Sequence, residues 1–249
     1  MTGLFAGRQS AYIAPMIVVF DCDGTLVDSQ HAICAALAEA FRAAGLAPPP
    51  PATARGIVGL SLEPAMRRLL AATGQEADPA RLAAFYRDAF FAIRSRNGAD
   101  PDFEPLYEGV REMLEALRAA GCLMGIATGK SRRGLAATLE RHDLLPFFDA
   151  WATADDHPSK PHPAMLQEVV AALGGAPGGA VHVGDTRFDV EMARAAGVTP
   201  IGVAWGYHEP AELAAAGAAH VLDRPGDLPP IVLARAAGGT TANTLQETE

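Results

Sequence analysis

Four short apolar runs, Ile17 to Phe20, Cys122 to Ala127, Val181 to Val183 and Pro200 to Ala204, with a weaker one at Ala150 to Thr153, lie far apart in a chain of 249 residues. The stretches between them carry helical periodicity. Val110, Met113, Leu114 and Leu117 fall at the i, i+3, i+4, i+7 spacing within Glu108 to Ala120, and Met165, Leu166, Val169 and Val170 repeat the rule. Strands that are apolar without alternation bury both faces, and helical crossovers supply the cover. The pattern predicts an open, doubly wound α/β sheet, in which ligands bind at the carboxyl ends of the strands.

One region departs from the alternation. From Ser29 to Phe103 the periodicity is helical throughout, with Ile33, Leu37 and Phe41 on one face and further helical runs at Met66 to Leu70 and Leu82 to Phe91. A helical cap domain over residues 29–103 is therefore expected, inserted after the first strand of a discontinuous core formed by 1–28 and 104–233. Its hinges are expected near Asp28-Ser29 and between Gly98 and Pro105. From Ala234 onward periodicity is lost, which predicts a disordered tail over 234–249. Met16, immediately before the first strand, is a candidate start, with residues 1–15 dispensable.

A formal net charge of −9 argues against a nucleic-acid partner, because phosphate backbones are held by basic patches. No stretch reaches the roughly 18 apolar residues of a membrane span. The segment Met1 to Pro15 lacks the basic and apolar regions of a secretory signal, so a cytoplasmic location is expected. Cys22, Cys34 and Cys122 are odd in number and far apart, and are read as reduced thiols. Among 20 basic residues only Lys130 and Lys160 are lysines, both in apparent loops after apolar strands. In so acidic a chain only a local positive site could bind a phosphate, and monomer and homodimer are both open.

Asp21 and Asp23 sit one residue apart at the end of the first strand, and Asp185, in Val-Gly-Asp-Thr-Arg-Phe-Asp, ends a later one. Parallel neighbouring strands would bring these carboxylates together, where they repel and one takes up a proton unless a cation neutralises them. Oxygen ligands completed by water and a substrate phosphate suit Mg²⁺. Asp23-Gly24 is not a hairpin turn, since a helical pattern and not a strand follows it. Thr186 and Asp189 have capping-box spacing, so Asp189 stands equally for a helix cap and for the metal site. Thr128 and Gly129 end the second strand before a helix, fit either to cap it or to hold phosphate oxygens. Lys160 lies in Pro-Ser-Lys-Pro-His-Pro, a loop stiffened by proline, as a solvated charge or a phosphate ligand.

Taken in order, Asp21-x-Asp23-Gly24-Thr25-Leu26, Thr128, Lys160-Pro161 and Gly184-Asp185-Thr186-x-x-Asp189 resemble the haloacid dehalogenase-like hydrolase superfamily, in its phosphoglycolate phosphatase-like branch. The resemblance spans Ile17 to Leu222. It implies a Rossmann-like core with a mobile helical cap and a phosphatase acting on a small phosphomonoester, 2-phosphoglycolate being one candidate. It assigns Asp21 as the nucleophile forming an aspartyl phosphate and Asp23 as the acid and base. Thr128, Gly129 and Lys160 would bind the phosphoryl group, and Asp21, the Asp23 carbonyl, Asp185 and Asp189 would serve Mg²⁺ and its waters. A sugar phosphomutase sharing these motifs and a receiver-type phosphoacceptor module are the alternatives. Asp23 argues against dehalogenation, and a cap without lysine argues against Schiff-base phosphonate chemistry. Gly129-Lys130 departs from relatives carrying Asn after the motif threonine. Arg55, in Arg55-Gly-Ile-Val-Gly59, is a candidate grip for a substrate carboxylate outside the assigned set.

Overall fold

Residues 15–97, 100 and 102–243 are described by a computed structural model of the chain. The five apolar runs become strands β1 (Ile17–Phe20), β2 (Leu123–Thr128), β3 (Ala150–Thr153), β4 (Ala180–Gly184) and β5 (Thr199–Val203), and a sixth strand, β6 (His220–Leu222), joins them. They pair in parallel in the order β3-β2-β1-β4-β5-β6. The helices are α1 (Gln30–Ala43), α2 (Pro51–Arg55), α3 (Leu62–Thr73), α4 (Pro79–Asn97), α5 (Val110–Ala119), α6 (Arg132–Arg141), α7 (Ala164–Ala172), α8 (Arg187–Ala195), α9 (Pro210–Ala216) and α10 (Leu228–Asn243). None of the described helices is long and apolar enough to cross a membrane.

Strand geometry explains why the central runs are apolar at every position. Successive side chains point to opposite faces. Ile17 and Val19 of β1 join the layer formed by α7 and α8, with Val169 and Met192, while Val18 and Phe20 join the layer of α5, α6 and α10, with Leu114, Leu135 and Val232. The Rossmann-like α/β architecture expected from the sequence is thus present. Its strand order reverses between β1 and β4, and the crossovers leave a crevice at their carboxyl ends. Because Phe20 lies level with both Ile126 and Val183, the residues just beyond these strands open onto the same edge.

Helices α1 to α4 share a separate apolar cluster that includes Leu37, Phe41, Met66, Leu69 and Leu82. The chain leaves the sheet and returns to it along one short antiparallel ribbon: Val27 bridges Leu106, Asp28 N donates to Pro105 O at 2.8 Å, and Tyr107 N donates to Leu26 O at 3.1 Å. Backbone hydrogen bonds therefore tie the two linkers to each other.

Two sequence expectations change. Strand β6 has only three residues and no detectable pattern; it exists because its backbone pairs with β5 from Ile201 to Val203. The tail expected to be disordered from Ala234 instead continues α10 as far as Asn243; Leu228 and Val232 anchor the helix in the core and Ala234, Ala236 and Ala237 favour it, whereas the Gly-Gly-Thr-Thr-Ala-Asn that follows has low helix propensity. Residues 244–249, Gly98 of the second hinge and the leader up to residue 14 lie outside the described residues.

The buried layer carries a stability prediction. Leu114→Ala, at a fully buried position, is expected to lower unfolding free energy by about 2–5 kcal/mol in urea denaturation. Leu145→Ala, at a residue 39% exposed, should change it by less than about 0.5 kcal/mol.

Candidate active site

Asp21 directly follows β1, yet its N–H still donates to Val183 O at 2.9 Å, so the sheet ladder holds its backbone against β4. Its side chain is buried, and Lys160 Nζ, from the loop between β3 and α7, lies 2.9 Å from Oδ1. Neither Asp21 oxygen accepts a well-directed hydrogen bond. Lys160 is itself buried and donates to Asp189 Oδ1 at 2.6 Å. Asp185, fully buried, accepts from Thr25 Oγ1 at 2.9 Å and from the Tyr207 backbone N–H at 3.0 Å. Asp21, Asp185 and Asp189 each offer an oxygen within 4.8 Å of the others.

Such a cluster is under electrostatic stress. Burial raises the Asp21 carboxyl to about 6, Lys160 opposing it while Asp189 and Asp23 add to it. Burial likewise raises Asp185 well above the ordinary carboxylate range, with Asp189 and Asp21 pushing the same way. Asp189 differs: burial opposes its ionisation, but Lys160 and His182 outweigh it and hold the carboxyl low. Three hard oxygen donors, one of them on a carboxylate that accepts no hydrogen bond, fit a small divalent cation.

The turn after β1 keeps its glycine for a geometric reason. Gly24 has φ of +85°, and a Cβ there would lie 2.2 Å from Asp185 Oδ2. The turn leaves Asp23 facing the sheet's edge, with Ser29 Oγ donating to its Oδ1 at 2.5 Å and Lys130 Nζ at 2.6 Å. Lys130 also faces Glu104 Oε1 at 3.6 Å, and Arg94 of α4 faces Glu104 Oε2 at 3.6 Å. Glu104 is buried on the returning linker, with φ of +53° and no hydrogen bond to either oxygen. Burial opposes the charge on Lys130, but Asp23 and Glu104 reverse that effect and raise its pKa.

At the end of β2, Thr128 is buried and its Oγ1 accepts from Lys130 N at 3.3 Å. The departure at Gly129 has a physical cause here. A Cβ at Gly129 would come 2.5 Å from the carbonyl oxygen of Gly59, so the loop from α2 to α3 closes on bare backbone. The same loop is tied down where Ser61 N donates to Ser159 Oγ at 2.9 Å, beside Lys160. A cavity of about 340 Å³ lies between the strand ends and α1 to α4, with Asp21, Asp23, Thr128, Gly129 and Lys130 in its lining.

The structure therefore gathers Asp21, Asp185 and Lys160, and it brings Asp23, Thr128 and Gly129 to the adjoining cavity. Asp189 is gathered too, but both its oxygens are engaged. Oδ1 meets Lys160 and, at 3.2 Å, His182 Nε2; Oδ2 accepts from Thr186 N at 3.1 Å and Oγ1 at 2.7 Å, completing the capping box. Arg55 ends α2 and does not line the cavity. Lys130, left without a role in the sequence reading, binds Asp23 directly. Its rarity as one of two lysines was the available signal. Glu104, Tyr207 and His182 had none, because the partners of Glu104 and Tyr207 lie 26 and 22 residues away and His182, 7 residues before Asp189, sits inside an apolar strand, while Thr25 was in the quoted motif without a function.

Comparison with known proteins agrees with this geometry. A family profile described as haloacid dehalogenase-like hydrolase matches residues 18–203. A protein named phosphoglycolate phosphatase from Pseudomonas putida is 32% identical over 215 residues, covering 84% of this chain and 76% of that protein. One of the same name from Pseudomonas savastanoi is 35% identical over 227 residues, covering 88% and 79%. The crystal structure of a hydrolase from Pseudomonas syringae superposes with a TM-score of 0.75 at 26% identity, covering 86% of this chain and 95% of that one. A core whose β1 and β4 ends assemble the family's aspartates around a buried lysine, matched by sequence over most of its length, places the chain in the haloacid dehalogenase-like hydrolase family.

Proposed function

We propose that the chain is a Mg²⁺-dependent phosphatase that hydrolyses a small organic phosphomonoester through an aspartyl-phosphate intermediate. The observation that carries this reading is the Asp21 carboxylate: buried, without hydrogen-bond partners, beside Lys160 and within reach of Asp185. A nucleophile awaiting a phosphoryl group and a cation would look this way. The names of the relatives make 2-phosphoglycolate the first substrate to assay.

In this reading an Asp21 oxygen forms a bond to phosphorus as the bond from phosphorus to the alcohol oxygen breaks, and Asp23 gives its proton to the leaving alkoxide. Ser29 and Lys130 both bind Asp23 Oδ1, which leaves Oδ2 for proton transfer. Asp23 then takes a proton from the water that attacks phosphorus, and the bond to Asp21 breaks to release inorganic phosphate. Lys160, Thr128 Oγ1 and the Gly129 N–H hold the phosphoryl oxygens. Asp21, the Asp23 carbonyl and Asp185 would hold Mg²⁺, which when bound offsets the negative charge of phosphate and carboxylates. Asp189 acts one step out, keeping Lys160 in place. Residues 29–103 form the cap, swinging on the ribbon of Val27 and Leu106. The three free thiols, two of them buried, suit a reducing cytoplasm, and the partner is a small phosphorylated metabolite, with monomer and homodimer both open.

Release of phosphate from a generic aryl phosphate tests the reaction. Steady turnover is expected with Mg²⁺, to be lost with EDTA and restored by added Mg²⁺. Asp21→Asn should reduce it by at least about 10³-fold. A receiver module would stop after one phosphorylation, and a phosphomutase would isomerise sugar phosphates with little phosphate released.

Lys130 has a separate stability signature. Lys130→Met removes the ammonium partner of Asp23 and one of the two cations facing Glu104 and should cost about 3 kcal/mol in urea denaturation, and adding Glu104→Gln should restore part of that loss, since Asp23 stays without its lysine. Additive losses in the double variant would count against the pairing.

A further inference from the structure

The cavity has two unlike ends. At the sheet it presents Asp21, Asp23, Thr128 and Lys130, while the helical side is walled by Ile33, Leu37, Val58, Leu62, Met66 and Phe90. Ile33, Leu37, Val58 and Met66 are also members of the apolar cluster of the helices, so the pocket runs into a hydrophobic core. Its volume of about 340 Å³ compares with the roughly 30 Å³ that a water takes up in the liquid, and it falls in the range of pockets built for drug-sized ligands. The two-carbon group of phosphoglycolate would leave most of that wall facing water.

Charge points the same way. A substrate carboxylate in this cavity would need a cation or donors to replace its hydration. Lys160 is engaged by Asp21 and Asp189, Lys130 by Asp23 and Glu104, and Arg94 faces Glu104. The remaining cations in the lining, Arg87 and Arg133, are on exposed residues, and Arg133 lies over the Phe91 ring at 4.5 Å. Water screens such charges.

Resting on the phosphatase reading above, we infer that the preferred substrate is a phosphomonoester of a bulky apolar alcohol, of about the size of a phenylalkyl group, and not of a small hydroxy acid. The phosphate sits at the strand ends, and the alcohol's hydrocarbon body lies against the helices.

The test is kcat/KM, with Mg²⁺, for n-alkyl phosphates from ethyl to hexyl, 3-phenylpropyl phosphate and 2-phosphoglycolate. Alkyl alcohols of similar acidity separate binding of the hydrocarbon from leaving-group chemistry. The expected result is a rise of about fourfold per methylene until the cavity is filled, with 3-phenylpropyl phosphate at least about tenfold better than 2-phosphoglycolate. Leu62→Lys, in the cavity wall at the start of α3, should cut that preference by at least about tenfold. If its thermal melt shows loss of folding, Leu62→Ala replaces it and should move the best chain length up by one or two methylenes. A flat alkyl series, 2-phosphoglycolate as the best substrate, or an unchanged preference in a folded Leu62 variant overturns the apolar-alcohol assignment while leaving the phosphatase reading intact. No turnover of any ester overturns both.

Discussion

Buried negative charge is the constraint around which this molecule is arranged. Asp21, Asp185 and Asp189 lie in one dry cluster, and among the described residues one ammonium group, that of Lys160, reaches into it. Lys160 spends its charge unequally. It holds Asp189 ionised at low pKa, while Asp21 and Asp185 remain raised and under-compensated. A cluster left short of positive charge in this way is receptive to a divalent cation, and the fold supplies the rigidity that keeps the carboxylates from moving apart. Asp21 is pinned by the sheet ladder, Asp185 by Thr25 and Tyr207, and the turn at Gly24 presses directly on Asp185.

The second lysine divides the labour. Lys130 stands on the other side of the β1 turn, where it joins Asp23 to Glu104 on the returning linker and, through Glu104, to Arg94 of α4. The carboxylate assigned to proton transfer therefore shares its counter-charge with the connection between sheet and helices. The loop at Gly59, resting on Gly129, forms a second point at which the helices meet the strand ends.

Much of this was legible beforehand, and the exceptions are instructive. Strands β1 and β4 were readable as continuous apolar runs buried at every position, and helices α5 and α7 by the period of their apolar face. Strand β6 was not, since its three residues are held by backbone pairing that leaves no mark on side-chain choice. The end of α10 was misjudged because alanine-rich sequence lacks an apolar stripe even where a buried anchor at Val232 starts the helix. Asp189 was divided between cap and metal site, and its two oxygens turned out to be shared between the capping box on one side and Lys160 and His182 on the other.

Sequence alone marked most of the strands and helices in their order and the set of acidic and basic residues available for chemistry, because periodicity and motif spacing are local properties of a chain. Which of those charges meet was decided only by the tertiary structure. Lys130 and Glu104, 26 residues apart along the chain, become partners through the path of the linker, and the apolar wall opposite Asp21 arises from helices packed against one another. Contacts between distant residues depend on packing and on desolvation at a shared site, and neither is written into the spacing of any one segment.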